Sequence, residues 1–203
     1  MAVVPAPVSE GAKGPVYVRS LLIPSNKLTQ ADVTDVRNSL ANHLTRLMLR
    51  AGLVSDASQV AVRDALPNTD FTLLTGGVAS EQYSNPVLVV NTWTAWINAA
   101  LGNAKFCAFY GLYNEAPSPQ IVGVRFQLGA GGVTFQTHHL QQLYVERDAI
   151  GYLADPVIYA PNDTVFVSLY ARAALAANVE ALGLKCLVAE RIGVIASGQQ
   201  QPG

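Results

Sequence analysis

Chemistry, if this chain performed any, would rest on its histidines, cysteines and acidic residues. The histidines are His43, His138 and His139. His43 falls within a helical pattern, beside its apolar stripe, where a lone histidine is structural or solvated. His138 and His139 are consecutive in a strand-like run, so their side chains point to opposite faces and cannot both reach one metal without a bulge. A zinc site needs three or four converging ligands, and neither Cys107 nor Cys186 sits at ligand spacing. The cysteines lie far apart and form no CxxC, which predicts two buried free thiols. Glu146, Asp148 and Asp155 resemble a carboxylate pair for glycoside hydrolysis only loosely, because Arg147 sits among them in a loop-like stretch. No G-x-S-x-G, H-E-x-x-H or P-loop occurs. Gly129-Ala130-Gly131-Gly132 reads as a hairpin turn rather than a phosphate cradle. The expectation is a protein that is not an enzyme, with no catalytic residue, no metal and no cofactor.

The elements around these residues are mostly strands. One helix is predicted from about Gln30 to Ala51, with Thr29 as N-cap, Asp32 three residues on, and Gly52 as the stop. Val33, Val36, Leu40, Leu44 and Leu47 form its stripe. This stripe packs either on the chain's own domain or on a neighbouring subunit. Beyond the helix the period changes. Strand-like runs appear at 59–63, 71–75, 106–110, 121–128, 133–137, 156–159, 164–170 and 182–190, separated by turns rich in Gly, Pro and Asn. Residues 56–66 have a short helix as their rival reading, and 85–91 opens either a strand or a buried helix. The fold class expected is mainly β: a single jelly roll or β-sandwich with one long helix. The divisions are an extended Pro-rich arm (1–28), a helical segment (29–54), the β domain (55–196) and an uncharged tail (197–203).

Composition narrows the partners. Half of the 203 residues are hydrophobic and 13% are charged, about half the usual share, with a formal net charge of −1. That balance disfavours nucleic acid held by counterion release and attraction to anionic membranes. The best apolar stretch, Pro86 to Leu101, is too short and too rich in Asn and Thr to span a bilayer. The first residues carry no basic n-region and are not expected to be a signal peptide. Two windows, Gln82–Ala104 and Phe126–Val145, contain no Asp, Glu, Lys or Arg at all. Uncharged polar and aromatic surface suits contact with another protein, since interface cores are depleted in Lys, Glu and Asp. The candidate assembly residues are Leu40, Leu44 and Leu47 on the helix, with Val3 and Val4 in the arm. Trp93, Trp96, Tyr110 and Tyr113 form a second candidate set, either for stacking on a sugar ring or for subunit contact. Trp93 and Trp96 would share a face only on a helix.

An extended arm, charge-poor strands and a neutral tail together resemble bacteriophage virion structural proteins of the jelly-roll or β-sandwich type, whether capsid, cement or decoration subunits. The stretches that carry the resemblance are Val62-Arg63-Asp64-Ala65-Leu66-Pro67, Asp163-Thr164-Val165-Phe166-Val167 and Leu187-Val188-Ala189-Glu190-Arg191-Ile192-Gly193. It is a resemblance of style over about two-thirds of the chain, with the long N-terminal helix as a departure that leaves room for a tail-adaptor role. It implies a non-enzymatic subunit of the virion, assembled in the host cytoplasm, whose partners are copies of itself and other virion proteins. The alternative expectation is a carbohydrate- or receptor-binding β module.

Overall fold

The computed structural model describes residues 22–67, 69–71, 83, 85–145, 149–180 and 182–192. In chain order the elements are β1 (Leu22–Pro24), α1 (Gln30–Arg50), β2 (Val60–Asp64), β3 (Trp93–Ala100), β4 (Lys105–Asn114), β5 (Ile121–Leu128), β6 (Thr134–His139), α2 (Gln141–Val145), β7 (Ile150–Tyr159), β8 (Thr164–Ala171) and β9 (Leu182–Arg191). Two antiparallel sheets result, ordered β1-β7-β4-β9-β2 and β3-β8-β5-β6. The mainly β sandwich with one long helix is therefore what the chain adopts.

The pairing has a simple logic. β5 pairs with β6, β4 with β7, β3 with β8 and β2 with β9, so the eight strands form nested hairpins around one central turn. That turn contains Gly129 and Gly131, at φ of 70° and 74°, backbone that favours glycine. Alternation along the strands sends one side chain in two between the sheets, where Phe71, Phe109, Phe126 and Tyr159 form a chain of ring contacts 5.3 to 5.8 Å apart.

The other face of the five-stranded sheet is covered by α1. Thr29 and Asp32 form a full capping box at its start, each side chain accepting from the other's backbone N–H. Leu40, Leu44 and Met48 are its buried residues, and they pack on Phe106, Ala108, Tyr110, Leu187 and Ala189. Each fully buried Leu or Met contributes about 1.5 to 3 kcal/mol. The stripe differs by one position from the predicted one. The i, i+4, i+8 track from Leu40 selects Met48 and leaves Leu47 only partly buried, and Val36, one turn before Leu40, is 39% exposed.

Four expectations change. Residues 93–100 form β3, with a bulge between Ala95 and Ile97 that hides the alternation. β7 begins at Ile150 rather than Pro156, because its register jumps from Val157 to Tyr152 opposite β4 and throws Asp155 and Pro156 into an irregularity. Residues 85–91 form neither strand nor helix, only isolated bridges at Leu88 and Val90. Leu22–Pro24, placed in the arm, is an edge strand on β7. The strand expected over 71–75 lies outside the described residues beyond Phe71, as does the tail.

Candidate functional site

The helix covers one sheet, whereas no described element covers the outer face of β3-β8-β5-β6. The register sets its side chains in rows. Trp93, Tyr170, Gly123 and His139 lie across the four strands in one row, and Ala95, Ser168, Arg125 and Thr137 lie in the next. Arg125 is the only Asp, Glu, Lys or Arg in all four strands.

Trp93 is half-buried and lies along the sheet rather than standing off it. Its ring centroid is 5.3 Å from that of Tyr170, and the Arg125 guanidinium carbon sits 3.9 Å from the ring centroid, a cation–π contact. Gly123 makes room for this. A side chain there would meet Trp93 Cη2 at 3.0 Å and Tyr170 Cβ at 3.2 Å. On the same face, Thr137 Oγ1 is enclosed with no hydrogen-bond partner among the described residues. Arrangements of this kind combine a flat aromatic, one cation and neutral hydroxyl and amide groups. They can pack on another protein or on a sugar ring.

A second polar cluster lies at one end of the sandwich. Glu180, 4% exposed, accepts from Asn114 Nδ2 at 2.7 Å, from the Gln120 amide and from the Ile121 amide. Asn85 Oδ1 accepts from the amides of Val179 and Glu180, both at 2.8 Å. The Tyr144 hydroxyl donates to the Ile121 carbonyl at 2.6 Å, and burial with the Glu180 charge nearby pushes its pKa up. An open pocket of about 330 Å³ adjoins the cluster, lined by Asn114, Glu115 and Tyr144 among others. The Glu180 oxygens are engaged by these internal donors. The cluster is a clasp joining β4, β5, α2 and the 176–180 segment.

The structure separates the residues singled out in the sequence. Trp96 is fully buried against Tyr83, and Tyr110 is buried beneath α1, so neither belongs to an exposed aromatic face with Trp93. Tyr113 is partly buried in β4, in the other sheet. As a strand, β3 sends Trp93 out and Trp96 in, which corrects the shared face. Leu40 and Leu44 are buried on the chain's own sheet and are not available as an assembly surface, and Leu47 is partly buried beside them. Val3 and Val4 lie outside the described residues, as do Glu146 and Asp148, while Asp155 is exposed in β7. His138 points into the core beside Phe126, with Nε2 2.9 Å from Gln136 Oε1, and burial pushes its pKa down to about 4. His139 is exposed on the outer face and His43 is partly buried on α1. Among the described residues no three His, Cys, Asp or Glu are placed to hold a metal ion, and no helix is long and apolar enough to cross a membrane.

The sequence reading missed Tyr170, Gly123 and Arg125. Arg125 had a signal, since it falls at an outward position between Val124 and Phe126. Tyr170 had one in the alternation of β8, but its pairing with Trp93 comes only from the β3–β8 register. No protein-family model, no curated protein and no solved structure matches this chain.

Proposed function

We propose that this protein is a non-enzymatic virion structural subunit, a jelly roll that packs on copies of itself or on a viral shell through the outer face of β3-β8-β5-β6. The observation that carries the reading is the strand order. Leaving aside the short edge strand β1, the sheets run β7-β4-β9-β2 and β3-β8-β5-β6 with nested pairing. Eight strands in two sheets with nested pairing support a jelly roll, a group that includes viral capsid domains. The face that no described element covers supports it, because a surface with one cation and no carboxylate in its strands is desolvated at low cost. Capsid, decoration and tail-adaptor roles all remain within the proposal. The test is the mass of the purified chain in solution by light scattering, together with Tyr170→Ala and Trp93→Ala. A defined oligomer that dissociates in those variants while the fold persists is the expected result. A monomer at every concentration that also fails to bind any virion shell would overturn it.

A second reading is favoured by the same Trp93 ring. A half-exposed indole beside Tyr170 and Arg125 suits stacking against a carbohydrate. In that case Trp93→Ala would abolish binding to a glycan array and leave the mass in solution unchanged.

A further inference from the structure

Cys107 and Cys186 lie far apart in sequence but on neighbouring strands. Cys107 stands opposite Val188 and Cys186 opposite Phe109, so the two are diagonal neighbours on the inward side of the β4–β9 ladder. Their exposures are 0% and 3%, and their sulfurs are 3.1 Å apart. Ordinary non-bonded contacts between carbon atoms sit at about 3.5 to 4.0 Å, and sulfur is larger than carbon. The two thiols are thus in tighter contact than packing alone requires. Bridged cysteines have Cα atoms about 4.4 to 6.8 Å apart, closer than the roughly 7 to 8 Å usual for diagonal neighbours on paired strands. Closing the bond therefore draws β4 and β9 together locally, and the 3.1 Å sulfur contact is what brings the pair within reach.

We infer that Cys107 and Cys186 form a disulfide-competent pair that links β4 to β9 when the chain folds in an oxidising medium. The step is an exchange with a small disulfide such as oxidised glutathione. One cysteine thiolate attacks it, and its S–S bond breaks to release one glutathione thiol. The second cysteine thiolate then displaces the other glutathione, leaving the Cys107–Cys186 bond, two protons given up and two glutathione thiols formed. Once the core has closed, the reaction stops. Burial pushes the Cys107 thiol pKa up, and neither sulfur can be reached from solvent. Reduced folded protein therefore stays reduced, and oxidised folded protein keeps its bond.

The test refolds the full chain from denaturant in two buffers, one with reduced and oxidised glutathione and one with reductant only. Oxidative refolding is expected to give a mass lower by two hydrogens, no titratable thiol after denaturation, and one linked peptide containing both cysteines. The closed loop should raise the thermal midpoint by on the order of 10 °C. The rise should vanish in Cys107→Ala refolded beside it. A chain that does not refold is oxidised instead with diamide near its unfolding midpoint, where opening exposes the sulfurs, and the same linked peptide is expected. Two free thiols after either treatment, or a disulfide that lowers the midpoint, would overturn the inference. So would alkylation of the folded reduced protein as fast as the denatured one.

Discussion

The end of the five-stranded sheet holds a buried carboxylate whose removal should be costly. The Asp70 side chain is fully enclosed and accepts four hydrogen bonds: Arg63 Nη1 at 2.7 Å, Arg63 Nη2 at 2.9 Å, the Leu66 amide at 2.8 Å and Lys105 Nζ at 3.0 Å. Glu190 completes the cluster, accepting from Arg63 Nε at 2.9 Å and lying 3.6 Å from Lys105 Nζ. Burial alone would raise the Asp70 pKa, but the Arg63 fork, the Leu66 amide and Lys105 outweigh it and hold it below the ordinary value. Asp70→Asn keeps the shape, removes the charge and turns an NH₂ group toward donors. Losing one partner of a buried pair costs about 3 to 5 kcal/mol. Arg63 and Lys105 are 34% and 24% exposed, so water recovers part of that. We expect a loss of about 2 to 3 kcal/mol, or a fall in Tm of about 4 to 12 °C. Urea unfolding followed by tryptophan fluorescence measures it directly. Arg63→Gln, alone and combined with Asp70→Asn, should show a coupling of at least about 1 kcal/mol that persists in high salt. A loss under about 0.5 kcal/mol, or a coupling abolished by salt, would refute the reasoning by showing that the cluster behaves as an exposed ion pair.

His138 should make stability fall with acid in a separate window. Its folded pKa near 4 is below the ordinary 6.5, so the unfolded chain takes up the proton first. Stability then declines from about pH 6.5 to about pH 4, by about 3 kcal/mol in all. The Asp70 contribution is lost only below that, as pH falls through the depressed carboxyl pKa. A His138→Gln variant whose urea midpoint still drops across pH 6.5 to 4 would contradict this assignment. Leu44→Ala should destabilise by about 2 to 5 kcal/mol without changing the mass in solution, since the residue packs on its own sheet. Thr29→Ala should cost about 1 kcal/mol through loss of the α1 cap, read from the same urea curves. Gly123→Val should displace the Trp93 ring and shift its fluorescence, and under the proposed function should weaken assembly at least tenfold.

Local patterns made much of this architecture legible. Thr29 and Asp32 announced α1 because a capping box is a contiguous signal. β5 and β8 were readable because Val122 to Leu128 and Val165 to Leu169 alternate through most of their length. β3 was not, since its bulge changes phase between two tryptophans, nor was the first half of β7, where Asp155-Pro156 imitates a loop. The outer face was legible as a lack of charge but not as a site. Its residues come from strands whose register is settled by tertiary pairing, and Gly123 has meaning only because Trp93 lies across it. The Asp70 and Glu180 clusters likewise join residues from separate segments, and no spacing along the chain marks them.

The nested pairing also sets a timetable for synthesis. The β5–β6 hairpin can close within microseconds of its appearance, and each outer pair must wait for a later strand. β2 waits longest, because Val60 to Asp64 find their partners only when Leu187 to Arg191 have been made. At about 5 to 20 residues per second, that interval is on the order of ten seconds. During it Leu40, Leu44 and Met48 have no complete surface to lie on, because Leu187 and Ala189 of β9 are part of that surface. The last described strand to emerge thus completes both the sheet and the seat of α1. A nascent chain truncated before β9 should be the form that recruits chaperones or aggregates.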